Sequence, residues 1–117
     1  MIQINTLEEF KDLKDYYFVD RVGNVYSHSK RKKGGIVAPY DNTGYLYVDL
    51  MLKNNKSRKI GIHRIVASAY IPNPNNYATV NHKNHIRHDN RVENLEWMPQ
   101  EQQYNDIWLQ KQHDRYR

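Results

Sequence analysis

Over residues 45–52, Leu46, Val48, Leu50 and Leu52 interleave with Tyr45, Tyr47, Asp49 and Met51. A period of two predicts a strand with one face turned to a core. Asn42-Thr43-Gly44 ahead of it reads as a turn, residues 53–59 as a basic turn through Asn54-Asn55, and Ile60 and Ile62 start a further strand. Upstream, Phe18-Val19 and Val25-Tyr26 flank Gly23-Asn24, which predicts a hairpin over residues 17–26. Near the start, Thr6 with Glu9 three positions on reads as a capping box, and Leu7, Phe10 and Leu13 share a face; together they predict a short amphipathic helix over residues 6–14. Ile65, Val66, Ala69 and Tyr70 predict a buried helix over residues 64–71, ended by Pro72, with a turn-rich connector behind it. Residues 80–82 form a strand stub, 83–93 a polar loop and 95–98 a returning strand. Pro99 then opens a last helix with Glu101 in its first turn, continuing through Ile107, Trp108 and Lys111. The fold class is α+β: an N-terminal twisted antiparallel β-sheet, then a strand–loop–strand–helix unit ending in a C-terminal helix. The division falls at residues 1–62 and 63–117, read as one compact unit.

At 117 residues, with 38% apolar and 26% charged positions, the chain has material for one modest core and long polar loops. Its net charge of +5 points to polyanionic partners. A membrane is disfavoured, since no apolar run approaches the roughly 20 residues a span needs. The first ten residues lack the basic start and apolar stretch of a signal peptide, so a cytoplasmic location is expected. No cysteine is present, which excludes disulfides and thiolate zinc sites. Lys30, Arg31, Lys32 and Lys33 form one basic cluster and Lys53, Lys56, Arg58 and Lys59 a second. Both are expected at ends of one sheet, making a surface that tracks the phosphates of double-stranded DNA. Arg21, Tyr45 and Tyr47 on the sheet and Arg87 and Arg91 in the polar loop would add to it.

Residues 80–97 carry the candidate chemistry. His82 stands at a strand end with Asn81 before it and Asn94 twelve positions beyond. A neutral imidazole can take a proton from water at physiological pH, and amide oxygens can hold one hard cation against a phosphate. Asn90 beside Asp89 reads as loop structure, His63 as structural, and Trp97 as core packing beneath the site.

His63-Arg64-Ile65-Val66-Ala67, Ile71-Pro72-Asn73-Pro74, Val80-Asn81-His82 and Asn90-Arg91-Val92-Glu93-Asn94-Leu95-Glu96-Trp97 closely resemble the HNH endonucleases of phages and their mobile introns. Phe18-Val19-Asp20, Gly23-Asn24-Val25-Tyr26-Ser27, Gly44-Tyr45 and Val48-Asp49-Leu50 extend the resemblance over about residues 17–97. It implies a ββα-metal fold around one divalent ion, Mg²⁺ or Mn²⁺. His82 would be the general base, Asn81 a metal ligand, and Asn94 the middle asparagine that braces the loop. The family's last ligand position falls on Gln103, where Asn or His is usual; Asn105 and Asp106 are the alternatives. His85 stands where the family tends to have glycine. The implied activity is metal-dependent hydrolysis of DNA phosphodiesters, by nicking or double-strand cleavage, as a monomer or weak dimer in a phage-infected or bacterial host cell. The alternative that Gln103 leaves open is a catalytically weakened factor of the same fold that binds DNA or a host protein.

Overall fold

Among the described residues the alternating segments assemble into three antiparallel sheets around one α-helix. The computed structural model describes residues 1–29 and 34–100. Strands β1 (Ile2–Gln3), β2 (Tyr17–Val19), β3 (Val25–Ser27) and β4 (Gly35–Ile36) lie in that order in the first sheet. Phe18 pairs with Tyr26, as the hairpin pattern predicts. The turn between them is organised by one carboxylate: Asp20 accepts from the backbone N–H of Val22 and Asn24, from the Asn24 amide and from the Tyr26 hydroxyl. Gly23 completes it at φ +94°, where a side chain would be strained.

Pro39 separates β4 from the second sheet, in which β5 (Tyr40–Asn42), β6 (Tyr45–Met51) and β7 (Ser57–Gly61) pair in sequence. Thr43 and Gly44 both have positive φ, 58° and 90°, the backbone a two-residue hairpin loop needs. Along β6, Val48 and Leu50 are fully buried while Asp49 and Met51 face out, so the period-two reading holds.

Two expectations are corrected. Residues 6–14 do not form an α-helix: short 3-10 turns occupy Ile4–Thr6 and Glu8–Phe10, with Leu7 extended between them. The Thr6 hydroxyl donates back to the Gln3 carbonyl, and the Glu9 carboxylate is taken by Arg64 and Ser68, so the capping box has no members left. The N-terminal strands also do not form one sheet. β1 to β4 make up the first and β5 to β7 the second; the chain changes sheet at Pro39, which has no N–H to continue a ladder.

Helix α1 (Ile62–Tyr70) follows β7 directly and buries Ile62, Ile65, Val66 and Ala67. Its chain leaves helical geometry at Ile71, the residue that Pro72 bars from the α region. Beneath it lie β8 (Thr79–His82) and β9 (Leu95–Met98), an antiparallel pair with Asn81 opposite Glu96 and His82 opposite Leu95. One apolar core takes Ile4, Phe10 and Val19 from the first sheet's region, Val48 and Leu50 from the second, Ile65 and Val66 from α1, and Val80 and Leu95 from the last pair. That core crosses the 62/63 boundary. The helix expected from Pro99 lies outside the described residues. Among the described residues, no helix is long and apolar enough to cross a membrane.

Candidate active site

Alternation along β8 decides which way its last side chain points. Val80 and His82 are buried, at 3% and 4% exposure, while Thr79 and Asn81 between them are half-buried. His82 therefore faces inward, packed among rings: its centroid is 5.3 Å from that of His63 on α1 and 5.9 Å from that of Tyr45 on β6, and Tyr45 and His63 are 5.2 Å apart. His82 Nε2 lies 2.8 Å from Oδ1 of Asn90, itself buried. Burial lowers the His82 pKa, with the Asn90 contact opposing, so the imidazole is held neutral at pH 7.

The loop that carries Asn90 back over His82 is shaped by side chains rather than by apolar contacts. Asn94, buried, accepts from the Asn84 N–H at 3.1 Å and donates to the Asp89 carbonyl at 2.8 Å, closing the loop across its ends. Asn84 also accepts from the Ile86 N–H and donates to the Asp89 carboxylate. That carboxylate is gripped by Arg91 at 2.7 and 2.8 Å, which holds its pKa well below the usual range. Outside contacts pin the loop to both sheets. Val92 N–H donates to the Arg21 carbonyl beside the first hairpin's turn, Arg87 stacks over Tyr45 and donates to the Thr43 carbonyl, and His88 pairs with Asp41.

His85 turns the loop at φ +61°, the left-handed region that glycine enters freely. His85→Gly relieves strain of about 1–2 kcal/mol and returns about 0.5–1 kcal/mol through the freer unfolded chain. A net gain of roughly 0.5 kcal/mol is expected in a urea titration; a lower midpoint for the variant would contradict it.

Asn81 donates through Nδ2 to Glu96 Oε1 at 3.0 Å, which leaves its amide oxygen uncommitted by that bond. An amide oxygen beside a carboxylate is a hard donor set of the kind Mg²⁺ takes, one or two protein oxygens with phosphate and water completing the shell. Among the described residues no three His, Asp or Glu side chains converge into a cage. Gln103, Asn105 and Asp106 lie outside the described residues.

Residues 61–104 match the family model for HNH endonucleases. The chain carries an HNH endonuclease module. Two relatives are uncharacterized HNH endonucleases of Acanthamoeba polyphaga mimivirus. One is 42% identical over 81 residues, 69% of this chain and 24% of the relative; the other is 38% identical over 84 residues, 70% of this chain and 20% of the relative. This chain thus spans about a quarter or less of their length. A solved structure, of DNA binding and cleavage by the HNH homing endonuclease I-HmuI, matches with a TM-score of 0.63 and 28% identity, over 89% of this chain and 57% of that one.

Around the HNH module the basic residues are unequal. Lys53 and Lys56 are exposed at the β6–β7 turn, and Lys59 sits 4.4 Å above the Tyr47 ring. Arg58 is committed to Asp12, the Glu9 carbonyl and the Phe10 ring. Arg21 lies over Tyr70, and Arg87 and Arg91 serve the loop as described. Lys30, Arg31, Lys32 and Lys33 fall outside the described residues. Trp97 packs half-buried against the core and donates to the Ile71 carbonyl. Asn90 and His63, which read from sequence as structural, both lie against His82. Glu96 is not singled out by the sequence, although its register opposite Asn81 follows from pairing Asn81-His82 with Leu95-Glu96.

Proposed function

We propose that this chain is the nuclease part of a metal-dependent DNA endonuclease of the HNH class, hydrolysing phosphodiester bonds in double-stranded DNA. One observation carries the reading: a buried histidine ends β8 inside the segment that matches the HNH model, with a hard oxygen donor on the residue before it. His82 takes a proton from water as the water oxygen bonds to phosphorus and the ester oxygen departs. Asn94 keeps the loop closed so that the imidazole stays in place. Asn81, with Gln103, Asn105 or Asp106, would hold Mg²⁺ or Mn²⁺, which when bound neutralises charge on the phosphoryl oxygens. The exposed lysines 53, 56 and 59 lie at the β6–β7 hairpin, and with Lys30 to Lys33, Arg21, Arg87 and Arg91 they are assigned to the DNA backbone. The likeness to I-HmuI supports a mobile-element type of nuclease. One site per chain makes nicks as a monomer, and paired copies make double-strand cuts.

Supercoiled plasmid incubated with protein and Mg²⁺ is expected to convert to the open circle, and EDTA to stop it. Binding should weaken steeply with salt, because lysine–phosphate contacts release counterions. A protein that binds plasmid but leaves it intact in both Mg²⁺ and Mn²⁺ would be a DNA-binding factor instead.

A further inference from the structure

The His82–Asn90 contact settles which nitrogen of the imidazole is free to act. An amide oxygen has no proton to give, so at 2.8 Å from Asn90 Oδ1 the ring nitrogen Nε2 must be the donor. In the neutral ring only one nitrogen carries the proton, which leaves Nδ1 as the nitrogen with the in-plane lone pair. We infer that Asn90 is a positioning residue of the nuclease, holding His82 in the Nε2–H tautomer so that Nδ1 is the atom that accepts the proton of water. The inference rests on His82 being the base, and it adds the residue that selects the tautomer and the atom that reacts.

Asn90 is unusually well fixed for a loop residue. Its neighbours are tied down on both sides, Asp89 through its carbonyl to Asn94 and Val92 through its N–H to the Arg21 carbonyl. From behind, the first hairpin's turn presses on it. A Cβ on Gly23 would stand 2.9 Å from Asn90 Cβ and 3.3 Å from its carbonyl oxygen, so only a glycine lets that turn come so near. A side chain that merely filled a loop would need no such backing. Tyr45 and His63 wall the imidazole on its other sides through ring contacts, and the hydrogen bond at Nε2 goes to Asn90. The amide is therefore the group that distinguishes the two ring nitrogens.

The test uses the full chain labelled with ¹⁵N-histidine. Long-range ¹H–¹⁵N correlation at neutral pH assigns the tautomer, and plasmid nicking gives kcat and KM separately. Wild type is expected to show His82 as Nε2–H. Asn90→Ala, which keeps the Cβ packed against Gly23, is expected to mix the tautomers and to lower kcat about 10- to 100-fold, the range found when a group that orients a functional ligand is removed, with KM unchanged. Circular dichroism of Asn90→Ala matching wild type separates loss of the contact from loss of the fold. An Nδ1–H signal in wild type, or an Asn90→Ala protein with unaltered tautomer and unaltered kcat, overturns the inference. Were His82→Ala to cut at the wild-type rate, the base assignment would fail while the tautomer measurement still stood on its own.

Discussion

His82→Ala is expected to slow plasmid nicking by about 10²–10⁴-fold, the contribution of a positioned general base, while DNA binding changes little. The separation follows from burial. At 4% exposure His82 is too enclosed to supply a phosphate contact of the kind proposed for the surface lysines, so its loss should appear in the chemical step rather than in retention of DNA. The variant also leaves the Asn90 amide without its buried partner, at a cost of about 1–3 kcal/mol. Rates should therefore be measured well below the variant's unfolding midpoint, with circular dichroism showing an intact fold. A His82→Ala protein that nicks at the original speed removes the proposed mechanism.

Stability is expected to fall as the solution is acidified from about pH 6.5 towards pH 4, and His63 is the main cause. Burial, reinforced by His82 and Arg64 nearby, pushes the His63 pKa down from 6.5 to about 4. The sign follows from proton counting. Between those two values the unfolded chain binds a proton that the folded chain refuses, so acid favours unfolding, and the stabilisation present above pH 6.5 drains away as the pH drops to the folded value. At about 1.4 kcal/mol per pH unit the loss amounts to about 3 kcal/mol. His82, lowered by burial in the same direction, adds to it. His63 Nδ1 is buried without a partner, so protonation there has no acceptor waiting to offset it. Guanidinium midpoints at pH 7.5 and 4.5 read the effect, and His63→Phe should flatten the difference. An equally steep pH dependence in that variant would assign the titration elsewhere.

How far this could be read from residues alone depended on which force shaped each part. Strand β6, helix α1 and the pair β8–β9 were legible because burial imposes a period: Val48 and Leu50 face in, Ile65 and Val66 share a helical face, and Val80 and His82 lie two apart. The hairpin turns were legible because Gly23, Thr43-Gly44 and Asn55 take backbone angles that few residues accept. The helix over residues 6–14 failed because a local pattern, Thr6 with Glu9, lost to a distant one. Arg64 and Ser68, more than fifty positions on, claim the Glu9 carboxylate. The single N-terminal sheet failed because nothing local says that Pro39 ends one sheet and begins another. At the site, His82 and Asn94 stood out by type and spacing. Asn90 did not, since the contact eight residues from His82 is made by a loop folded through Asn84, Asp89, Arg91 and Asn94, and polar side-chain networks leave no periodic trace.

The way the loop is moored limits what can be done with this fold as an engineering part. Two of its anchor points, the Arg21 carbonyl and the Thr43 carbonyl with the Tyr45 ring, belong to strand connections that precede residue 62. Transplanting residues 63–117 onto another protein as a cassette would leave those anchors behind, and the graft would need surrogates for both before its histidine came to rest in a working position.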